Sequence, residues 1–351
     1  TRRMSRTNRI KSNHRPTMKD VAVHANVSVS TVSYVLNNTG PVSADRRARV
    51  MNAVRELNYT PNESARSLKR QSAATVGLVI PDLTNQFFSL LAHGVVRAAA
   101  LRDVLVVLCS SDSAEEAESG NARLLRSQRV DGVVYLTGSY ESHTALLELQ
   151  SVGPVVLVDE RIPGADLPAV VADGRRGARE VASLVVGLGH KRFACIAGPT
   201  ALWTAEQRLA GYREALAMGG LDPDSMDVLI GDYRQDSGFE LANKALSVPR
   251  AQRPTALLCA NDMMAIGALE YCRQAGLDVP GDVSIVGFDD VPMAPLLTPR
   301  LTTVRQPAHE MGMGAANLLL DLIQGESEPV IPAPYPVQVV ARESAAKPAQ
   351  D

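Results

Sequence analysis

Cysteine and aromatic residues are scarce in this 351-residue chain, in which aromatics make up only 4%. The four cysteines are widely scattered, with no Cys-x-x-Cys pair and no histidine at metal-ligand spacing. This excludes a cysteine zinc site and a disulfide scaffold, and it is typical of a protein in the reducing cytoplasm. No apolar run approaches the roughly 20 residues that cross a bilayer, so we predict no membrane span.

Enzyme signatures are missing as well. HEMGM at 309–313 lacks the second His of a zinc-protease helix, and GMGAA at 312–316 lacks the dinucleotide fingerprint. Neither a nucleophile elbow nor a phosphate-binding loop occurs. We therefore predict no catalytic residues, no metal and no cofactor.

Charge is distributed unevenly along the chain, although the net charge is only −2. Residues 1–70 hold 14 Lys/Arg against 4 Asp/Glu, a net of +10, which leaves −12 for residues 71–351. A strongly cationic segment of this length is expected of a polyanion binder. The acidic remainder would repel the same polyanion, so the two parts need different partners.

The spacing of apolar residues between 17 and 60 predicts three short helices. Thr17, Ser28 and Ser43 stand where a hydroxyl can accept from the free amides of a first turn. The break ANVS at 25–28 has the length of the turn in a helix-turn-helix, and Asn26 tolerates the left-handed conformation such a turn often needs.

The second of these helices, within VSVSTVSYVLN at 27–37, carries no charge. Its inward stripe is predicted to hold Thr31, Val32, Val35 and Leu36. The outward positions are Val29, Ser30, Ser33, Tyr34 and Asn37. Hydroxyls, amides and small apolar groups suit base edges in a DNA major groove, while Lys and Arg bind phosphates. A solvent-facing helix of an ordinary three-helix domain is the alternative, and the +10 charge favours DNA binding.

Beyond residue 72 short apolar runs alternate with amphipathic stretches, which predicts an α/β fold of parallel sheets covered by helices on both faces. The candidate strands are 75–80, 104–108, 132–136, 154–158, 192–197, 255–260 and 283–288. Continued over the whole length beyond residue 72, this alternation implies at least nine strands, two more than the seven candidates. That is too many for one doubly wound sheet, so we predict two subdomains. A ligand would bind between them, beyond the carboxyl ends of the strands.

The chain resembles the lactose/galactose repressor family of bacterial transcription regulators. TMKDVAVHANVSVSTVSYVLN and VSADRRARVMNAVRELNYTPNESARSLK are similar to that family's DNA-binding headpiece and hinge. The similarity continues, in the family's order, through VGLVIPDLTNQFF, RLAGYREAL, ANDMMAIGAL, VSIVGFDD and LTTVRQP. The resemblance implies a helix-turn-helix headpiece and hinge helix joined to a core of periplasmic-binding-protein type I.

This comparison predicts five segments along the chain. They are a disordered basic arm (1–16), the headpiece (17–60), the hinge (61–72), the effector-binding and dimerisation core (73–341) and a C-terminal tail (342–351). The family binds double-stranded DNA as a homodimer on a pseudo-palindromic operator, under control of a small effector that is commonly a sugar. ARESAAKPAQD at 341–351 has no leucine heptads, so we expect a dimer without a tetramerising coiled coil.

The resemblance also assigns the DNA-binding residues. They are Thr17, Val29, Ser30, Thr31, Ser33, Tyr34, Asn37, Asn62, Ala65, Leu68 and Lys69. Leu68 is expected to wedge into a minor-groove base step, with packing against the core as the alternative. Tyr34 departs from the family, which commonly has Arg there. Because Arg grips guanine O6 and N7 with two donors and Tyr offers one hydroxyl, we expect Tyr34 to shift base choice or to contact a phosphate.

Polar residues just beyond the predicted strand ends are the candidates for effector binding. By resemblance Arg208, Asn261 and Asp289 are the most dependable contacts, followed by Asp159, Phe87 and Phe88. Strand-end carboxylates also cap helices, and we expect that role for Asp262 and Asp290 especially. Trp203, the only tryptophan, is expected on a loop facing the cleft, where it either stacks on a sugar ring or packs in the interior.

A sugar-binding transport protein would share this core architecture. It would have no use for residues 17–72, so the headpiece favours a regulator. The expected mechanism is linkage, in which effector binding closes the core and changes the affinity for operator DNA. The sequence leaves open whether the effector releases or promotes DNA binding.

Overall fold

The computed structural model describes residues 17–37, 42–57, 59, 74–111, 115–137, 143–325 and 330–349. The chain divides into two compact units, residues 1–73 and residues 74–351. The predicted basic arm and hinge lie outside the described residues, and so do Asn62, Ala65, Leu68 and Lys69. No helix among the described residues is both long enough and apolar enough to cross a membrane.

The first unit contains the three predicted helices: α1 (Met18–His24), α2 (Val29–Asn37) and α3 (Ala44–Glu56). They enclose a small core whose buried members are Val21, Ala22, Ala25, Val32, Val35, Val50, Ala53 and Tyr59. Asn26 has the left-handed conformation predicted for the turn, with φ of 50°.

Two of the three predicted helix caps form. Thr17 makes a reciprocal capping box with Asp20 at the start of α1. The Ser28 hydroxyl accepts from the amide of Thr31 at 3.1 Å. Ser43 occupies the cap position of α3 without a side-chain hydrogen bond.

The second unit contains two parallel sheets and one antiparallel pair of strands. The five-stranded sheet has the order β2-β1-β3-β4-β5, the four-stranded sheet has the order β7-β6-β8-β9, and β10 pairs with β11. The strands are β1 (Thr75–Ile80), β2 (Leu105–Ser110), β3 (Gly132–Tyr135), β4 (Val155–Val158), β5 (Ala169–Val170), β6 (Phe193–Ala197), β7 (Asp227–Ile230), β8 (Ala256–Cys259), β9 (Ser284–Val286), β10 (Thr303–Arg305) and β11 (Gln338–Val340).

Eight helices accompany these sheets in the part of the unit that the structure describes. They are α4 (Gln86–Leu101), α5 (Glu115–Ser127), α6 (His143–Gln150), α7 (Gly174–Gly187), α8 (Trp203–Met218), α9 (Gln235–Leu246), α10 (Asp262–Ala275) and α11 (Ala308–Ile323). Two single 3₁₀ turns, Pro223–Ser225 and Ala294–Leu296, complete the elements. We call the β1–β5 sheet with its helices the first lobe and the β6–β9 sheet with its helices the second lobe.

All seven predicted strands are present, each within a few residues of its predicted bounds, and their pairing is parallel as expected. The sequence analysis did not identify β5, β7, β10 and β11 as strands. β5 has only two residues and β7 is a half-exposed edge strand, so neither carries a long apolar run. The β10–β11 pair is antiparallel, which the predicted parallel architecture did not include.

The last helix, α11, returns to the first lobe and packs on α4. Two glycines permit this close approach. A Cβ atom at Gly94 would lie 2.1 Å from the carbonyl oxygen of His309, and one at Gly312 would lie 2.1 Å from that of Leu91. Neither position tolerates a side chain without a shift of backbone. The chain therefore crosses between the lobes more than once.

The segment predicted as a C-terminal tail, residues 342–351, makes contacts with the core over its first residues. The Arg342 guanidinium pairs with Asp290 at 2.6 Å, and the buried Ser344 hydroxyl donates to the carbonyl of Ile285 at 2.6 Å. His190 contacts the carbonyl of Ala346 at 2.7 Å through Nε2. Residues 342–346 are thus part of the second lobe.

Candidate functional site

The outward face of α2 is uncharged and accessible. Val29 is 45% exposed and Tyr34 is 47% exposed, while Ser30 is exposed and Ser33 is half-buried. Thr31 is half-buried and its hydroxyl lies 2.8 Å from that of Ser28, so it contributes to the start of the helix. Thr17 is exposed and engaged in the cap of α1. The side chains of Leu36 and Asn37 lie outside the described part of the chain.

A cavity of about 270 Å³ lies in the second unit, lined by residues that follow strands of both lobes. Six of the seven predicted effector residues line it: Phe87, Phe88, Asp159, Arg208, Asn261 and Asp289. This volume is close to the lower end of the ~300–1,000 Å³ typical of small-molecule sites, so the cavity suits a ligand with one ring or two.

Strand ends position the polar side chains of the cavity. Asp159 directly follows β4, and Asn261 and Asp289 lie just beyond β8 and β9. Asp159, Tyr233 and Asp289 have positive φ values of 64°, 68° and 116°, a conformation that side-chain-bearing residues rarely adopt. Such backbone strain concentrates at binding sites, where the surrounding packing maintains it.

Arg208 is the central cation of the cavity and is 4% exposed. Its Nη1 donates to the carbonyl of Ala260 at 2.6 Å and lies 3.8 Å from Asp289 Oδ1, while its guanidinium lies 4.2 Å from the centre of the Phe288 ring. Its buried Nε has no hydrogen-bond partner in the structure. Because an unpaired buried donor is costly, this nitrogen is a ready donor for a ligand oxygen.

Three buried carboxyls surround Arg208. Burial raises the pKa of Asp289 to about 7, against the attraction of Arg208, and burial together with the neighbouring Asp159 raises the pKa of Glu160 to about 8. Burial also raises the pKa of Asp159. These groups therefore hold protons more tightly than carboxyls in water, and they offer both donors and acceptors to a hydroxyl-bearing ligand.

Asn261 has a second role beside its place in the cavity wall. Its Oδ1 accepts from the amide of Met264 at 2.9 Å and caps α10, and its Nδ2 donates to the carbonyl of Tyr233 at 2.9 Å. Both polar atoms are thus engaged within the protein. Asn261 therefore contributes to the cavity mainly by holding the Tyr233 loop in place, and it has little hydrogen-bonding capacity left for a ligand.

Asp262 and Asp290 were expected to cap helices, and this expectation was wrong: Asn261 is the residue that caps α10, and the two carboxylates bind other partners. Asp262 is fully buried and accepts from the amide of Val291 at 2.9 Å and the hydroxyl of Thr303 at 2.5 Å. Asp290 pairs with Arg305 and Arg342 at 2.7 and 2.6 Å. Neither residue lines the cavity.

Trp203 does not line the cavity, which corrects its expected position on a loop facing the cleft. It is the first residue of α8 and borders a separate pocket with Leu157, Ile162 and Leu167. Its ring packs against the core cluster of the first lobe, with the Arg161 guanidinium 5.6 Å from the ring centre. The structure therefore supports the packing alternative and gives no support to stacking on a sugar.

Several cavity residues were not identified from the sequence, chiefly Glu160, Thr204 and Tyr233. The Thr204 hydroxyl and amide both donate to the Glu160 carboxylate, the amide at 3.2 Å, and the Tyr233 hydroxyl lies 3.3 Å from that of Thr204. Glu160 is adjacent to Asp159 and Thr204 is one helical turn before Arg208. These spacings from predicted site residues could have identified Glu160 and Thr204 in the sequence.

Comparison with known proteins agrees with this geometry. The domain family described as bacterial regulatory proteins, lacI family, matches residues 17–62, and the periplasmic binding protein-like domain matches residues 182–345. The HTH-type transcriptional repressor CytR of Escherichia coli (strain K12) is 36% identical over 88% of this chain and 90% of its own length. The ribose operon repressor of the same organism is 38% identical over 88% of this chain and 93% of its own length.

A solved structure of the Lac repressor dimer, bound to operator and the anti-inducer ONPF, superposes with a TM-score of 0.80. It is 30% identical and the match covers 95% of this chain and 100% of that chain. These relatives are transcriptional repressors and not enzymes. With its headpiece, its two-lobed core and identity above 30% along most of its length, the chain belongs to the LacI family of bacterial regulatory proteins and is a DNA-binding transcriptional regulator.

Proposed function

We propose that the chain is a homodimeric repressor whose affinity for a pseudo-palindromic operator is set by a small polyhydroxylated ligand, a sugar of one ring, bound in the cavity between the lobes. The main support for this ligand class is that Asp159, Arg208 and Asp289 all line one cavity of about 270 Å³. Carboxylates and a guanidinium bind paired hydroxyls through several directed hydrogen bonds, and few ligands other than sugars present so many hydroxyls on so small a frame.

The cavity also provides apolar surface. Phe88 is half-buried and lines the wall beside the fully packed Phe87, with the two rings in an edge-to-face arrangement at 5.6 Å. An exposed aromatic face stacks well against the C–H face of a sugar ring. The resemblance to the ribose operon repressor favours a pentose or a compound that contains one.

DNA binding in this proposal uses the outward face of α2. Val29, Ser30 and Tyr34 are accessible, and together they offer an apolar contact for a thymine methyl and hydroxyls for base edges. Two such helices on a dimer would read half-sites about 34 Å apart, one turn of DNA. Leu68, on the proposed hinge, would enter the minor groove between them. Binding to chromosomal DNA implies action in the cytoplasm.

Control of DNA binding follows from linkage between the two sites. A ligand that changes operator affinity by some factor must have its own affinity changed by the same factor, typically ~5–150-fold. The test is a thermal-shift screen of the full chain against pentoses, hexoses and nucleosides, followed by operator selection with and without the hit. A ligand that binds only the folded state raises the melting temperature. A failure of every sugar and nucleoside to do so would refute the ligand class, and recovery of only random duplex would refute operator binding.

A further inference from the structure

Two consecutive residues of the first lobe contact two consecutive residues of the second lobe at the edge of the cavity. Glu160, after β4, accepts two hydrogen bonds from Thr204 in the first turn of α8. Beside it, the Arg161 guanidinium lies 5.6 Å from the ring centre of Trp203, the residue before Thr204. We propose that these two contacts form a clasp that holds the lobes closed, and that the charge of Glu160 controls whether it stays shut.

The start of α8 depends on this contact with the other lobe. Its N-cap residue is Leu202, which has no polar side chain and makes no cap hydrogen bond. The amides of a first helical turn need an outside acceptor. Glu160 supplies it, since its Oε2 accepts from the amide of Thr204 at 3.2 Å. Separation of the lobes would remove this cap, so α8 is complete only in the closed arrangement.

Apolar packing reinforces the same junction. Trp203 belongs to a second-lobe helix, yet its ring packs against the core cluster of the first lobe, which includes Ile162 and Ala169. The indole would lose this cover when the lobes part. Because an indole has a large apolar area, its exposure opposes opening.

Glu160 has both charged and neutral titratable neighbours. Asp159 precedes it, Arg208 approaches from α8, and Tyr233 reaches the same Thr204 hydroxyl from the loop after β7. Asp289 lines the same cavity and lies 3.8 Å from Arg208. Arg208 and the two hydrogen bonds from Thr204 favour an ionised Glu160, but burial and the neighbouring Asp159 outweigh them. Arg208 is also shared with Asp159 and Asp289.

Ionisation of Glu160 therefore opposes closure. The buried carboxyl has a pKa raised to about 8 by burial and by Asp159, whereas a carboxyl exposed to water in open lobes has an ordinary pKa near 4.5. The closed arrangement thus binds the proton more tightly, and loss of that proton shifts the population toward the open arrangement.

The single tryptophan makes this proposal testable without ligand or DNA. The full chain is titrated from about pH 4.5 to above pH 8, the interval between the ordinary and the raised pKa of Glu160, while Trp203 emission and its quenching by acrylamide are recorded. As pH rises, we expect emission to shift to longer wavelength and quenching to increase. Glu160→Gln, which cannot ionise, is expected to remove the transition, with circular dichroism at each pH verifying that both proteins are folded.

A matched pair at Thr204 tests the hydrogen bond itself. Thr204→Ser keeps the hydroxyl and is expected to keep the transition, while Thr204→Val removes it and is expected to leave Trp203 more accessible even at low pH. An unchanged emission in the wild-type protein, or a transition that persists in Glu160→Gln, would overturn the proposal. If Glu160→Gln does not fold, identical profiles for the two Thr204 variants would overturn it. The proposed effector and its binding are not involved in either result.

Discussion

Arg208 and Asp289 line the same cavity, with 3.8 Å between Nη1 and Oδ1. This separation is longer than a direct hydrogen bond, although both side chains are buried. The Nε of Arg208 has no partner, and Gln306 Nε2 donates to Asp289 Oδ1 at 2.8 Å from the opposite side. Both side chains therefore keep hydrogen-bonding capacity that a ligand hydroxyl at the cavity wall can use.

Replacement of Arg208 by Lys is expected to weaken ligand binding about 10–100-fold. Lys keeps the charge but loses the planar fork, so at least one charge-assisted hydrogen bond of about 1.5–3 kcal/mol is lost. Isothermal titration with the ligand identified in the thermal-shift screen measures the change. Arg213→Lys is the matched control, because Arg213 lies on the same helix and is exposed beside Asp224 at 4.0 Å. Equal affinities for the two variants would contradict the role of Arg208.

Two neighbouring carboxylates are expected to separate stability from ligand binding. Asp262→Ala leaves the buried amide of Val291 and the hydroxyl of Thr303 without their acceptor, at about 1–3 kcal/mol each. We expect a marked fall in the free energy of unfolding, measured in urea, with little change in ligand affinity for the folded fraction. Asp289→Asn keeps the side-chain volume and is expected to show the reverse. A ligand defect confined to the Asp262 variant would contradict both assignments.

The stability of the ligand-free protein is expected to fall as the pH rises from about 4 to about 8, and to level off above that. The pKa of Asp289 is about 7 and that of Glu160 about 8 in the folded protein, against ordinary values of 3.8 and 4.5. Both groups bind protons more tightly when folded, so their contribution is fully present below about pH 4 and is lost as they ionise. Melting temperatures measured at constant ionic strength test this. In the Glu160→Gln, Asp289→Asn double variant, the melting temperature is expected to fall less steeply with pH. A wild-type melting temperature that rises with pH between about 4 and 8 would contradict the raised pKa values of the two carboxyls.

The polar residues that follow long apolar runs were predictable from the sequence. Asp159 and Asp289 come directly after buried strands or within three residues of them, and parallel strands bring their carboxyl ends to one edge of a sheet. The same reasoning predicted the three headpiece helices and the left-handed Asn26. These features were predictable because the conformation at each position depends on a few neighbouring residues in the sequence.

Residues that depend on contacts between the lobes were not predictable in this way. Trp203 was expected at the cleft because it lies five positions before Arg208. Both residues belong to one helix, however, and five positions turn a side chain about 140° away. Thr204, four positions before Arg208, shares its face and lines the cavity. Glu160 and Tyr233 both contact Thr204, although they are far from it in the sequence. Such contacts depend on the packing of the whole core, so a local sequence pattern does not predict them.

Tyr34 is expected to determine the base choice of this regulator at one position of each operator half-site. It is accessible on α2, a helix with no Arg, Lys, Asp or Glu. Tyr34→Arg would introduce a bidentate donor for guanine, and a good pair of this kind contributes about 1–3 kcal/mol of discrimination. Selection from a random duplex library is therefore expected to recover guanine at that position with the variant and another base with the wild-type protein. Tyr34→Phe, which removes only the hydroxyl, distinguishes a hydrogen bond from a ring contact. Identical sequences recovered by the wild-type protein and Tyr34→Arg would show that the side chain reads no base and contacts only the backbone or solvent.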